Sequence, residues 1–551
     1  MRANTNKLVK LDDKFVFISA EDLEKLLKYK QKCEKRKLSG AQLLSAAIAG
    51  GIDEAIVENS REVEKSIEHI FETKHFDVPS GINATLRDYQ VRGYEWLTQN
   101  VKAGIGSIIA DDMGLGKTLQ VIAVIEKLRE EGQLENNPVL IVVPTALIIN
   151  WQHEIKKFAP RLTYSVAYGG GKLDETKHIV LTTYGKLRND VTQFDGVNYR
   201  LLVIDEAQAI KNSDTQTRKS LCQIKANGYI AMSGTPVENR LKEYWSILDF
   251  VNPGLFGTEQ EFIHNYAKPI EVDDNKEALE RFNRVSRPFI IRRLKSDKAI
   301  IKDLPEKIVS DRYCSLSPAQ GEKYQELVDD ALEKLRLIKL RKLKMNPNAL
   351  LLKMITALKL VCNAPCCYEE DLPHDVEASG KGLMLMEILK TQFENGNKVL
   401  IFTQYVKVGN LIVEWIKKEF DIKASFIYGG QSVKERQSIV DSFQTNPNDK
   451  VLVLSLRAAG VGLNLTAANT VIHFDLWWNP AVENQATDRA YRIGQKDDVN
   501  VVRLICANTF EDKIDEIIDK KKNLAQKTVA VGENYFSDMS VDEIKDIFSL
   551  S

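Results

Sequence analysis

The chain has 551 residues, enough for several domains, and its 44% hydrophobic content can bury more than one core. Its 76 Lys and Arg face 77 Asp and Glu, so the net charge is −1. That excludes a global basic field and confines any nucleic-acid site to a local patch. Seven scattered cysteines offer no disulfide framework and suit a reducing compartment. No charged n-region with an apolar core starts the chain, and no run approaches the roughly 18 apolar residues of a membrane span. The expectation is a soluble, intracellular protein with no membrane partner: cytoplasmic, nucleoid-associated if bacterial, and nuclear only if eukaryotic.

Residues 1–80 are charged and read as a helical accessory segment: EDLEKLLKYKQKCEKRK, then AQLLSAAIAGG, then a Glu/Lys-rich stretch to Thr73. Pro79-Ser80-Gly81 ends it. Residues 81–254 alternate short apolar runs (SIIA, PVLIVVP, HIVLTTY, LLVIDEA, YIAMSGTP) with helical segments, the pattern of a mostly parallel sheet covered by helices. Residues 255–380 lose the alternation and read as a predominantly helical insertion. The alternation resumes over 381–510 with KVLIFTQY, KASFIYGG, KVLVLSL, TVIHFD and VNVVRLI, and residues 511–551 read as a helical tail. The fold class is therefore α/β: two parallel-sheet lobes, a helical insertion between them, and helical segments at both ends.

In the first lobe, DDMGLGKT at 111–118 follows the small/apolar run Gly106–Ala110 and precedes the helical pattern LQVIAVIEKL. Such a strand–loop–helix binds phosphate because backbone N–H groups converge on it at the positive end of a helix. Gly114 and Gly116 let the backbone approach, Lys117 reaches the β and γ oxygens, and Thr118 holds Mg²⁺. Asp111 stands where the general motif has Gly. Downstream, LLVIDEAQ at 201–208 is an apolar run ending in two acids, the form of a buried strand with carboxylates at its carboxyl end. Asp205 is the expected partner of Mg²⁺ through water, and Glu206 the base that orients the attacking water. These sites predict an ATP-hydrolysing enzyme that uses ATP and Mg²⁺. The second lobe lacks a glycine-rich Lys-Thr loop but carries QATDRAYRIGQ at 485–495. On a helix, Arg489 and Arg492 would share one side and could reach across a cleft to a γ-phosphate.

These motifs resemble the Swi/Snf family of double-stranded-DNA translocases in helicase superfamily two, over nearly all of 83–530. The shared stretches include LRDYQVRGYEWL, DDMGLGKT, VVPTALIINW, LTTYGKL, DEAQAIKN, MSGTPVENRLKEYW, FIIRRLKSDK, LKLVCNAP, LIFTQY, YGG and the run SLRAAGVGLNLTAANTVIHFDLWWNPAVENQATDRAYRIGQ. The resemblance implies RecA-like lobes and a set of site residues. Nucleotide contacts are expected from Arg87, Gln90 (reading the adenine edge), Asp111, Asp112, Met113, Gly114, Leu115, Gly116, Lys117, Thr118 and Gly462. Catalysis falls to Lys117, Asp205, Glu206, Arg489 and Arg492, with coupling through Gln208, Ser233 and Thr235. DNA contacts are expected from Thr145, Asn150, Trp151, Thr183, Thr403 and Trp478.

The implied activity is ATP hydrolysis stimulated by double-stranded DNA, coupled to translocation without strand separation, with displacement or remodelling of a DNA-bound protein. Two rivals remain open: a strand-separating helicase or RNA translocase on the same fold, and a DNA-binding scaffold with a vestigial ATPase. Cys362, Cys366, Cys367 and His374 fit no common paired zinc spacing. The basic stretches Arg287–Lys307 and Lys334–Lys344 are either solvated helix faces or phosphate contacts. Residues 1–80 resemble the last part of an accessory region found before the motor in longer relatives, and could act as a brake on it. The C-terminal GENYFSDMSVDEIKDIFSL resembles the end of compact members, and the lack of a chromatin-reading or nuclease module points to a bacterial or viral protein.

Overall fold

In the computed structural model, the residues described are 7–11, 14–18, 39–52, 55–72, 74–168, 171–234, 241–295, 297, 305–340, 342–456, 463–492, 494–524 and 541–550. The chain divides into two units, one of residues 1–71 and 252–286, the other of residues 72–251 and 287–551.

The smaller unit begins with strands, not helices. β1 (Lys7–Leu11) pairs antiparallel with β2 (Lys14–Ile18), and β3 (Gly51–Ile52) with β4 (Ala55–Ile56). This corrects the all-helical expectation for the N-terminal segment: LVKL and KFVFI are short and rich in β-branched and aromatic residues, which favour strands. AQLLSAAIA does form a helix, Gly40–Ala49, opened by a Ser39/Gln42 capping box and closed by left-handed Gly50. A second helix spans Arg61–Phe71. EDLEKLLKYKQKCEKRK lies outside the described residues. Within the 252–286 part, Phe256, Phe262, Tyr266 and Phe282 pack ring against ring, with centroids 5.3–6.1 Å apart.

The larger unit holds both lobes. In the first, the parallel sheet contains β5 (Ser107–Ile109), β6 (Val139–Val143), β7 (Tyr164–Ala167), β8 (Ile179–Thr183), β9 (Leu201–Ile204), β10 (Tyr229–Met232) and β11 (Ile290–Ile291), in the order β11-β5-β10-β9-β6-β8-β7. The central strands are buried along their whole length, as apolar runs covered on both faces must be. This order sets β10 between β5 and β9, so the loop after β5, Ser233 after β10 and the acids after β9 emerge side by side.

The second sheet joins β12 (Lys307–Cys314), β13 (Val399–Thr403), β14 (Ser425–Ile427), β15 (Val451–Ser455), β16 (Thr470–His473) and β17 (Val499–Cys506), in the parallel order β12-β17-β16-β13-β15-β14. Residues 255–380 are predominantly helical, as read from the sequence, yet they also supply two strands. The stretch contributes β11 to one sheet and β12 to the other, between helices such as Lys276–Ser286, Pro318–Lys339 and Pro347–Asn363. β12 escaped notice because it is an edge strand, mostly exposed, with polar residues throughout. The tail forms helices Phe510–Leu524 and Val541–Phe548.

The four residues Cys362, Cys366, Cys367 and His374, whose spacing fits no common zinc pattern, form no metal-type cluster among the described residues. Cys362 lies against Cys506 and Glu511 instead of Cys366, Cys367 and His374. The Lys381 ammonium already pairs with Glu511 at 2.8 Å, giving that buried carboxylate its cation. No helix among the described residues is long and apolar enough to cross a membrane.

Candidate active site

The loop after β5 turns through left-handed Gly114 (φ 83°) and Gly116 (φ 76°) into the helix Lys117–Glu130. Both glycines are needed sterically as well as conformationally. A Cβ at Gly116 would stand 2.3 Å from Gln90 Nε2, and one at Gly114 2.7 Å from Arg492 Cγ. Lys117 Nζ donates to the carbonyls of Asp111 (2.5 Å) and Asp112 (3.2 Å), holding the loop in shape. Burial lowers the Lys117 pKa, opposed by the charges of Glu206, Asp111 and Asp205. From the helix Asp88–Ala103, Gln90 Nε2 (3.2 Å) and the Tyr89 hydroxyl (3.0 Å) donate to Leu115 O, while Gln90 Oε1 accepts from Arg87 N at 3.0 Å. Gln90 thus lies against the loop.

Asp111 is a correction. Its carboxylate is fully buried and bound by Arg293, through Nη2, Nε (2.9 Å) and the backbone N–H (3.1 Å). It faces the loop's support and leaves only its carbonyl on the Lys117 side.

At the end of β9, Asp205 Oδ2 accepts from Trp151 Nε1 and Oδ1 from Glu206 N, both at 2.9 Å. Burial, and then the charge of Glu206, raise the Asp205 pKa to about 7, against the pull of those two hydrogen bonds and of Lys117. Glu206 takes a left-handed backbone (φ 53°), which swings its side chain out of the strand line. Gln208 Nε2 donates to Glu206 Oε2 at 2.8 Å and Ser233 Oγ donates to Gln208 Oε1 at 3.1 Å. The proposed coupling residues Ser233 and Gln208 are thereby joined to Glu206 in one chain of hydrogen bonds. Thr235 and Gly462 lie outside the described residues.

The second lobe brings Arg489 and Arg492 to this loop, but not on a helix. The helix ends at Thr487, and a series of tight turns carries Asp488–Arg492. The arginines converge because Arg489 N bonds Ala486 O at 3.1 Å, Arg492 N bonds Ala490 O at 3.0 Å, and Arg492 Nε bonds Asp488 O at 2.9 Å. Arg489 is fully buried, and its Nη2 lies 3.8 Å from Met113 Sδ. Its Nε and Nη1 have no hydrogen-bond partner among the described residues. Burial, and then the like charge of Arg492, work against its ionised form. An unpaired guanidinium facing a phosphate-type loop fits an anion.

The expected DNA residues divide. Thr145 and Thr183 line a groove of about 510 Å³ with Lys172 and Lys186, at the carboxyl ends of β6 and β8. The Thr183 hydroxyl itself caps the next helix, accepting from Lys186 N. Asn150 Nδ2 donates to Glu154 Oε1 at 3.2 Å, and Glu154 also receives the Thr118 hydroxyl. Three of the six are corrections. Trp151 is fully buried as the partner of Asp205, and Thr403, also fully buried, donates to Asp475 Oδ2 at 2.6 Å. Trp478 is 8% exposed, with Lys359 Nζ 3.7 Å over its ring and Phe510 edge-on at 5.4 Å. The ring is packed inside the protein, with one face taken by Lys359, and is not presented for stacking on a base. In the basic stretch Arg287–Lys307, Arg293 and Lys295 are buried, and neither is a solvated charge. Sequence reasoning missed Trp151, Tyr184 (whose hydroxyl donates to Asp205 O at 2.6 Å), Glu154, Arg293 and Lys295 as members of the site. Trp151, Tyr184, Arg293 and Lys295 lie inside family motifs, which mark them without saying what they touch, and Glu154 carried no signal.

Two parallel-sheet lobes, with a glycine loop and paired acids in one and arginines supplied by the other, define a helicase-like ATPase. Residues 89–367 match the SNF2-related domain and residues 380–494 the helicase conserved C-terminal domain. The chain belongs to the SNF2-related family of ATP-hydrolysing enzymes. It is 35% identical to Bacillus subtilis (strain 168) YwqA, to which an ATP-dependent helicase/translocase role is assigned, over 100% of this chain and 62% of that one. It is 37% identical to an uncharacterized ATP-dependent helicase of Mycoplasma pneumoniae, over 84% and 44% of the two chains. Against the Saccharomyces cerevisiae TATA-binding protein-associated factor MOT1 the figures are 32%, 92% and 31%. The chain thus spans less than two thirds of these relatives. The Sulfolobus solfataricus SWI2/SNF2 ATPase core in complex with dsDNA is 40% identical, covering 87% of this chain and 100% of that one, with a TM-score of 0.44.

Proposed function

We propose that this chain hydrolyses Mg·ATP when bound to double-stranded DNA and uses the cycle to move along the duplex without separating its strands, displacing bound protein. The observation that carries the ATPase half is buried Arg489, with two unpartnered nitrogens beside the glycine loop. In this reading Lys117 leaves its loop carbonyls for the β and γ oxygens, Thr118 and Asp205 would hold Mg²⁺, which would offset phosphate charge, and Glu206 orients the attacking water. Gln90 reads the adenine, and Arg489 and Arg492 offset the charge of the transition state. Ser233 and Gln208 pass the state of Glu206 towards the end of β10.

The groove with Thr145, Thr183, Lys172 and Lys186 supports a backbone contact with DNA on the first lobe. Binding is then largely sequence-independent and weakens steeply with salt. A relative named as a TATA-binding protein-associated factor supports a DNA-bound protein as the target.

The test is steady-state ATPase of wild type and Glu206→Gln with no nucleic acid, blunt duplex, single strands or RNA. A tailed duplex is added as an unwinding substrate, because two relatives carry helicase in their names. Duplex stimulation lost in Glu206→Gln, with no unwinding, supports the motor. Preference for single strands or RNA replaces it with the strand-separating reading.

A further inference from the structure

The chain leaving the first lobe is laid directly along the glycine loop. Ala110 N donates to Ile291 O (2.8 Å) and Asp112 N to Arg293 O (3.0 Å), so β11 and the residues after it continue the sheet beneath the loop. Arg293 then turns inward. It binds Asp111, the Tyr89 carbonyl and Gln120 Oε1 (2.7 Å), and packs 5.0 Å from the Tyr89 ring centroid.

Lys295 turns the other way. Its backbone N–H donates to Asp112 Oδ2 at 2.9 Å. Its ammonium reaches the second lobe, donating to Asp488 Oδ1 at 2.9 Å and to the Tyr491 carbonyl, 4.9 Å from the Tyr491 ring. The side chain is buried, although a lysine at the surface would normally keep its head in water. Asp488 directly precedes Arg489, and Tyr491 directly precedes Arg492. Because that turn is not helical, the Tyr491 carbonyl lacks a helix partner, and Lys295 supplies one. A second tie comes from the same linker: the Tyr491 hydroxyl donates to Pro305 O at 3.1 Å.

We infer that Lys295 is a positioning residue for the reaction: its backbone holds the glycine loop and its ammonium holds the Asp488–Arg492 turn, so that both arginines stand in register with the bound nucleotide. This rests on the ATPase reading above. Lys295 touches neither nucleotide nor reacting atoms and acts through the turn it grips. Its two grips are two residues from the Arg293 anchor, so the register is set by a very short piece of backbone whose Arg293 and Lys295 side chains are buried. A shift of about 1 Å in a catalytic group costs roughly 10²-fold in rate.

The experiment compares full-length wild type with Lys295→Met, Lys295→Arg and Asp488→Asn. It measures ATPase kcat, affinity for a fluorescent ATP analogue, and hydrogen exchange in the peptide containing Asp488–Arg492. Lys295→Met is expected to lower kcat about 100-fold while nucleotide affinity stays within about threefold. Exchange in the turn should rise, and Lys295→Arg should restore most of the rate. In an Arg489→Ala/Arg492→Ala background, Lys295→Met should add little, because it acts through those two arginines. Asp488→Asn removes the same ion pair from the other side and should show the same split, which covers failure of Lys295→Met to fold. A wild-type kcat with unchanged exchange in Lys295→Met overturns the inference. So does a parallel fall of kcat and affinity that Lys295→Arg does not rescue. If wild type itself hydrolyses no ATP, the ATPase reading fails, and the exchange measurement still decides whether Lys295 holds the turn.

Discussion

Trp151→Phe isolates one hydrogen bond in the site. Trp151 Nε1 donates to Asp205 Oδ2 at 2.9 Å, one of two hydrogen bonds on that carboxylate, and both groups are buried. A hydrogen bond to a charged group is worth about 1.5–3 kcal/mol. At 1.4 kcal/mol per factor of ten, its loss weakens Asp205 as an anionic anchor by roughly 10- to 100-fold. The substitution keeps an aromatic ring but leaves a small cavity and removes that hydrogen bond, so the fold should lose about 2–4 kcal/mol. The assay is DNA-stimulated ATPase as a function of Mg²⁺ concentration, with thermal unfolding alongside. The Mg²⁺ needed for half-maximal rate should rise about tenfold or more. Half-buried Trp477, which packs in the second lobe, provides the control Trp477→Phe, expected to leave it unchanged. A folded Trp151→Phe with wild-type Mg²⁺ dependence and kcat would refute the assignment of Trp151 as the holder of Asp205.

Lys381→Met should destabilise the second lobe by about 3–5 kcal/mol in urea unfolding, because it strands buried Glu511, and the double substitution Lys381→Met/Glu511→Leu should recover much of that loss. If the single substitution costs under 1 kcal/mol, the pair is not the buried ion pair described. His473 is buried, which pushes its pKa down to about 3, with Arg503 and Lys307 adding to the shift. The unfolded chain protonates it near pH 6.5 while the fold keeps it neutral, so stability falls as pH drops from about 6.5 towards 3, by about 1.4 kcal/mol per pH unit. His473→Gln should flatten that slope, and parallel slopes for the two proteins would contradict it. Gly114→Ala forces a left-handed alanine whose Cβ meets Arg492 Cγ at 2.7 Å. The fold should lose about 1–2 kcal/mol, while kcat falls more than ATP affinity; equal losses would argue against Arg492 standing over the loop.

Much of the two sheets was readable because their inner strands are apolar runs bounded by turns, and LLVID or VLIFT can hardly be anything but buried strand. The glycine loop and the paired acids were readable for the same reason: spacing along one local segment fixes their geometry. The failures share the opposite property. KIVSDRYC carries no apolar pattern because one edge and much of both faces stay wet. Trp151, Trp478 and Thr403 sit in motifs that point to DNA, yet a motif does not say which way a side chain turns, and all three turn inward. Arg489 and Arg492 converge through turns that the helical spacing of QATDRAYRIGQ concealed. Lys295 and Arg293 lie far along the chain from their partners in the glycine loop, a proximity that only the tertiary structure creates.

The placement of β12 also dictates an order of assembly on the ribosome. Its residue Asp311 pairs with Arg503, 192 positions later in the chain. At about 5–20 residues per second, the strand waits on the order of 10–40 s for β17 to be synthesised. Through that interval its Ile308, Val309 and Tyr313, still exposed in the finished fold, have no sheet to join. The helices between β12 and β13 can form meanwhile from local contacts, but the second sheet closes only when nearly the whole motor has emerged. A nascent chain stalled before Cys506 therefore presents an open strand edge, and is the species most exposed to aggregation and to capture by chaperones.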